Sequence, residues 1–248
     1  MPEIERYYIK TEGNDDEAYK EAMQFACELV KKGMNADTVI LLASTKKSVG
    51  WLDRIFDAQT VKKMFNGTKF NDCIPTFLIK TVKTYSSFSA SNDIVITMGL
   101  NAEDIMKIDN YQDIKAIIAI PWLLENTNNW IKTWSPTELR TNEKPESFPE
   151  PNPIVKTALE ELSKGINMST GISNSFDNNR AKTYIRALYK YSDINGDVVK
   201  SYLVRELNWE SDNADDMKKL IDTINSGKYF KGGDKTYLKN HIKRWEEK

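Results

Sequence analysis

The stretch TVILLASTKKS, Thr38 to Ser48, decides the fold. Val39 to Ala43 is apolar at every position, so both faces of the strand it predicts must be covered. That is the pattern of a strand inside a parallel sheet, not of an antiparallel strand with one wet face. The run then breaks into two hydroxyls, two lysines and a third hydroxyl. Working outward, a strand is expected at Ile4 to Lys10, followed by the turn Gly13-Asn14-Asp15-Asp16. Ala18, Ala22, Phe25, Ala26, Leu29 and Val30 then line one face of an amphipathic helix that ends near Gly33 and Asn35.

The same alternation continues downstream. A second helix is expected from about Val49 to Phe65, then strands at Phe77 to Tyr85 and Asp93 to Met98. A short helix follows at Ala102 to Asp109, and KAIIAI, Lys115 to Ile120, is the last clear strand. Pro121-Trp122 closes it and Leu123 to Trp134 reads as helix. Strands alternating with helices imply βαβ units. The expected fold is therefore α/β: a Rossmann-like, three-layer, mainly parallel sheet over residues 1–140. Ser135 to Pro153 carries five prolines and no apolar periodicity, so 141–153 reads as a Pro-rich linker. Beyond it strand signals vanish. Val155 to Lys164, Asn178 to Tyr191, Val198 to Leu207 and Ala214 to Asn225 read as helices of an all-helical domain over 154–248.

Composition excludes several classes. Among 248 residues, 40% are hydrophobic and 29% charged, as in a folded globular protein. Lys+Arg 35 against Asp+Glu 36 gives a net charge of -1, which argues against a surface built wholly for nucleic acid or anionic membrane. One histidine, His241, excludes a His-rich metal centre and leaves no Ser/His/Asp or Cys/His arrangement. No metal site is therefore assigned. Cys27 and Cys73 are too few for a disulfide framework and neither has a recognisable base beside it. MPEIERYYIK has no apolar signal region and no run approaches the ~20 apolar residues of a membrane span. A cytoplasmic protein with no membrane partner is the expectation, and the abundance of Lys, Asn and Ile suits an AT-rich bacterial or phage genome.

In such a sheet, ligands bind beyond the carboxyl ends of the strands. Three strand ends carry suggestive loops: Ser44-Thr45-Lys46-Lys47-Ser48, Met98-Gly99-Leu100-Asn101, and Pro121-Trp122. The first opens a helix, whose free amides and positive dipole end favour an anion. Neither GxxxxGK[ST] nor GxGxxG is present. Ser44, Thr45, Lys46, Lys47 and Ser48 are the expected anion contacts. Gly99 and Asn101 are candidate ligand neighbours, and Trp122 is a candidate stacking surface. The competing reading makes Ser44 and Thr45 helix caps, Lys46 and Lys47 solvated cations, Asn101 a cap, and Trp122 core beside Trp130 and Trp134. Asp53, Glu125 and Asn126 are the only visible candidates for acid/base work, so no catalytic residue and no cofactor are assigned.

The loop Ser44 to Ser48, with the preceding helix and strand from Glu17, is similar to the phosphate-binding strand-loop-helix of the pyruvate kinase C-terminal domain. The Gly and Arg of that family's loop are replaced here by Lys47 and Val49. A second resemblance rests on Met168-Ser169-Thr170-Gly171-Ile172, Asp177-Asn178-Asn179-Arg180-Ala181, Leu207-Asn208-Trp209 and Gly227-Lys228-Tyr229-Phe230. With Ile120 to Leu123 and Trp130 to Pro136, these resemble a family of uncharacterised bacterial proteins, which implies no activity.

The segment Lys228 to Lys248 has seven Lys or Arg against three acids, with Tyr229, Phe230, Tyr237 and Trp245 interleaved. Lys228, Lys231, Lys235, Lys239, Lys243 and Arg244 are therefore candidate nucleic-acid contacts, against the plainer reading of an amphipathic closing helix. The leading functional expectation is a module that binds or senses a small anionic, phosphate-containing or nucleotide-like ligand at the sheet's carboxyl edge. The alternatives are a nucleic-acid-associated protein, a carboxylate-metal hydrolase or transferase, and a structural subunit of a protein partner.

Overall fold

A parallel sheet organises the first of two compact units, Met1–Ser147 and Phe148–Lys248. The computed structural model describes residues 4–70, 74–236 and 238–248. The strands are β1 (Glu5–Tyr8), β2 (Thr38–Ala43), β3 (Thr76–Thr81), β4 (Asp93–Met98), β5 (Ile114–Ile120) and β6 (Thr137–Glu138). They lie in the order β3-β2-β4-β5-β1-β6, and every pairing is parallel. The helices are α1 (Asp16–Lys31), α2 (Ala58–Met64), α3 (Ala102–Asp109) and α4 (Asn128–Trp134). The α/β class holds. The order departs from the usual doubly wound 3-2-1-4-5-6, because β1 sits between β5 and β6.

The strand residues alternate between two cores. Val39, Leu41, Ile94, Ile96, Ala116 and Ile118 pack with α1 and α2, while Ile40, Leu42, Val95, Ile117 and Ala119 pack with α3 and α4. All six positions of β4 are buried, as expected of a strand covered on both faces.

Local chemistry trims several expected elements. The helix expected from Val49 to Phe65 is a nine-residue 3-10 segment, Lys46–Arg54, followed by α2. Asp57 restarts the chain: its carboxylate accepts the Thr60 N–H at 2.9 Å and the Thr60 hydroxyl at 2.7 Å. The helix expected from Leu123 divides likewise. A 3-10 turn, Leu124–Thr127, precedes α4, and the Thr127 hydroxyl donates to the Leu124 carbonyl at 3.0 Å. β3 stops at Thr81, where the Thr81 N–H donates to Thr84 Oγ1 at 3.0 Å and turns the chain. β6 was too short for periodicity to reveal.

At the other end of the sheet Arg6 enters the core. Its guanidinium pairs with Asp109 at 2.7 Å and stacks 3.7 Å from the Trp134 ring centre. Trp130 Nε1 donates to the same carboxylate at 2.7 Å. The Asp109 side chain is wholly buried and that of Arg6 is 11% exposed. Removing one partner of such a pair strands the other charge. Asp109→Ala should therefore destabilise the protein by about 3–5 kcal/mol in urea titrations, whereas Lys20→Ala, on an exposed ion pair with Glu17, should cost under about 1 kcal/mol.

The second unit comprises α5 (Pro153–Lys164), α6 (Ser175–Tyr191), α7 (Gly196–Arg205), α8 (Ser211–Asn225) and α9 (Leu238–Glu246). Asn152, Asn174 and Asn195 cap α5, α6 and α7 by accepting amide hydrogens of the first turn. Ile242 and Trp245 of α9 are buried, with the Trp245 ring 4.9 Å edge-on from Tyr184. Glu161 on α5 ties α9 down, accepting from Tyr184, Arg244 and Lys248.

Burial alone would raise the Glu161 pKa. The Lys248 and Tyr184 hydrogen bonds and the Arg244 charge outweigh it and hold the carboxyl at about 2, against 4.5 unperturbed. A carboxyl lowered in the folded state stabilises fully above its unfolded value and loses that contribution as pH falls through its folded value. Stability should therefore fall between pH 4.5 and about 2. In thermal melts across that range, Glu161→Gln should be less stable than wild type at pH 6 and should lose less on acidification.

Candidate functional site

Crossovers between parallel strands are right-handed, so their direction along the sheet decides which face they cover. The connections after β1 and β2 run toward β3 and hold α1 and α2 on one face. Those after β3, β4 and β5 run the other way, and α3 and α4 lie opposite. Among the described strands, neighbouring connections diverge at one place, between β2 and β4. That is the topological switch point at which open sheets form a crevice.

The loops on either side are those singled out in the sequence. Ala43 is in register with Met98, and Met98 with Ile120. Ser44, Gly99 and Pro121 thus follow on three consecutive strands, about 5 Å from one to the next. Between β5 and β1 the connections cross instead, and the chain is laced shut: Gly13 N–H donates to the Trp122 carbonyl at 2.6 Å, and Thr11 Oγ1 donates to the Pro121 carbonyl at 2.5 Å.

Ser44 to Ser48 are all exposed. Their hydroxyls bond to one another: Ser48 Oγ lies 2.9 Å from Ser44 Oγ and 2.8 Å from Thr45 Oγ1. Thr45 occupies the cap position of the 3-10 segment, but its hydroxyl accepts no backbone amide of the turn, so the capping reading fails at Thr45. The segment is held from behind by packing. Trp51 stacks on Tyr19 of α1 at 3.6 Å, Val49 and Leu52 are buried, and Arg54 pairs with Asp16 at 2.8 Å. Lys46 lies 5.9 Å from the Phe65 ring centre, and Lys47 is exposed.

Gly99 has φ +66°, a left-handed conformation that its N–H bond to the Ile120 carbonyl, at 2.8 Å, locks in place. A Cβ there would meet Trp122 Cβ at 3.6 Å. Trp122 is 49% exposed, while Trp130 is buried and Trp134 stacks on Arg6, so the three tryptophans do not form one core row. Asn101 caps α3, accepting the Asp104 N–H at 2.9 Å. Beside it lies a cleft of about 310 Å³ lined by Asn101, Ala102, Glu103, Glu125, Asn126 and Asn129. Burial, and after it the Glu103 charge, raise the Asp104 carboxyl.

Other candidates disperse. Asp53 is exposed on the 3-10 segment, away from the Glu125 cleft lining. Cys27 packs half-buried against the core; Cys73 lies outside the described residues. Among the described residues no group of three His, Cys, Asp or Glu is placed to hold a metal, and no helix is long and apolar enough to cross a membrane.

The basic segment also divides. Arg244 and Lys248 pair with Glu161, Lys231, Lys239 and Lys243 are exposed, and Lys228 and Lys235 line a groove with α6. Tyr237 lies outside the described residues. His241 is half-buried between Tyr184 and Trp245, and burial and the Arg244 charge lower its pKa. The polar run Asn167 to Ser175 is a loop up to the Asn174 cap, and Ser175 opens α6. Sequence reasoning missed the Tyr19-Trp51 and Asp16-Arg54 clamp, which joins residues 32 and 38 positions apart. It also missed Glu103, Asn129 and the α6 side of the groove.

Residues 151–246 match a family model described as a domain of unknown function (DUF1889). No curated protein matches the chain, and no solved structure does. The match bears out the resemblance to an uncharacterised family over the helical unit. The likeness to the pyruvate kinase C-terminal domain finds no support and carries nothing further.

Gly99→Ala forces a Cβ into the left-handed region, at a cost of about 1–2 kcal/mol, while its contact with Trp122 Cβ at 3.6 Å is an ordinary one. Urea unfolding should register that loss, and the tryptophan emission of the native state should stay as in wild type.

Proposed function

We propose that the α/β unit binds a small anionic ligand, phosphate-bearing and nucleotide-like, in the crevice between the ends of β2 and β4. The observation that carries this reading is a coincidence of topology and chemistry. The one pair of neighbouring strands with diverging connections ends in the hydroxyl-lysine loop on one side and in Gly99-Leu100-Asn101 on the other. Ser44, Thr45 and Ser48 would exchange their mutual hydrogen bonds for bonds to anionic oxygens, with Lys46 and Lys47 supplying charge. Trp122 offers a ring face to the organic part. The amides and carboxylates of the adjoining cleft suit hydroxyl groups, as acidic side chains suit a ribose in dinucleotide folds. Cations then lie on the β2 side and carboxylates on the α3 side, which would orient a ligand with one anionic end and one hydroxylated end.

Thermal melts and native mass spectra against inorganic phosphate, phosphosugars, nucleotides and cyclic dinucleotides test this reading. A ligand at 100 times its Kd adds about 2.7 kcal/mol to stability, a rise of several degrees in Tm. The expected result is such a rise in wild type and its loss in Lys46→Ala/Lys47→Ala. Equal shifts in both proteins, or none with any member of the series, would contradict it.

A further inference from the structure

The helical unit carries a second feature with its own chemistry. Between α6, the end of α8 and the start of α9 runs a groove of about 510 Å³. Its lining includes four cations, Arg186, Lys190, Lys228 and Lys235, and no acid. None of the four forms an ion pair with a described residue, although this unit pairs other cations closely, as in Lys200–Asp215 at 3.0 Å and Arg205–Glu150 at 2.8 Å. Arg186 is oriented without being neutralised: its guanidinium donates to the Phe230 and Gly232 carbonyls at 2.6 and 3.1 Å. A positive groove left uncompensated favours a negatively charged occupant.

Two further observations narrow the occupant. Tyr189 and Tyr229, both in the lining, are 48% and 63% exposed, an unusual outlay of aromatic surface to water. Arg186 stacks 4.7 Å from the Tyr229 ring centre, and the Lys235 ammonium lies 4.7 Å from the same ring. The cations also continue in a line. Lys182, Arg186 and Lys190 recur every fourth residue of α6, so they share one helix face and rise about 6 Å per step. Lys182 sits 5.8 Å from the Phe230 ring centre, extending the pairing of cation and ring along that face. A small anion needs one such position. A row of them, interleaved with ring faces, fits a linear polyanion that also carries flat groups.

We propose that this groove binds single-stranded nucleic acid, phosphates following the α6 cations and bases stacking on Tyr189 and the Arg186–Tyr229 pair. The site differs from that expected from the sequence. Arg186, Lys190 and Tyr189 of α6 enter it; Lys231, Lys239 and Lys243, which do not line the groove, leave it, as does Arg244, committed to Glu161. It is independent of the ligand proposed for the sheet edge.

Fluorescence anisotropy with labelled 12-nucleotide oligo-dT and oligo-U, on the full chain, tests the proposal. Binding should weaken with salt, with a log–log slope of roughly −2 to −3 for three or four phosphates neutralised. The charge variant Lys190→Gln/Lys228→Gln/Lys235→Gln should flatten that slope and abolish measurable binding at 150 mM salt. Tyr189→Ala should weaken binding about tenfold and leave the slope unchanged. Circular dichroism should match wild type for both variants, and Lys46→Ala/Lys47→Ala should bind the oligonucleotide normally. Failure of wild type to bind either strand at 50 mM salt would overturn the proposal. So would equal binding of a duplex, equal binding of a poly-glutamate peptide, or indifference to both variants.

Discussion

An all-parallel sheet permits no hairpins, and that constraint governs the α/β unit. Every connection has to cross a face, and the fixed hand of the crossover ties its direction to that face. With the order β3-β2-β4-β5-β1-β6, two connections run one way and three the other. Their divergence leaves one open place at the carboxyl edge, between β2 and β4. Moving β1 between β5 and β6 has a second consequence: the β1 and β5 loops cross and pair through Gly13 and Trp122, so the edge is closed there. The position of the candidate site follows from connectivity before any side chain is considered.

Side chains then decide what the opening can hold. Ser44, Thr45 and Ser48 satisfy one another, and the segment behind them is fixed by Tyr19, Trp51 and the Arg54–Asp16 pair rather than by its own caps. A loop held from behind can keep its hydroxyls toward solvent without collapsing. The helical unit uses charge in two distinct ways. Glu161 gathers Arg244 and Lys248 to fasten α9, while the α6 groove keeps its cations unpaired. The first arrangement is structural, and the second leaves a positive surface open to a negatively charged occupant.

Much of this was legible in the residues, for identifiable reasons. Apolar runs such as Val39 to Ala43 and Ile117 to Ile120 report burial on both faces, so the α/β class and the central strands were readable. The three loops at the carboxyl edge were readable because each follows such a run. What escaped was non-local or too short. The 3-10 segment Lys46–Arg54 shares its apolar spacing with an α-helix, and only the Asp57 restart separates it from α2. β6 offers two residues. The Arg6–Asp109 pair joins positions 103 apart, and no pattern within a window could link them. The basic C-terminal segment was visible as composition, but its division between Glu161 and the α6 groove depends on packing alone.

The most direct test of the sheet-edge site is a titration of isotope-labelled protein with a nucleoside monophosphate, followed by amide chemical shifts. The account predicts that the largest changes fall on residues 44–48 and 99–101, on both sides of the β2/β4 crevice, with the Trp122 indole signal moving alongside. Changes confined to other surfaces, or spread evenly over the exposed lysines, would contradict it.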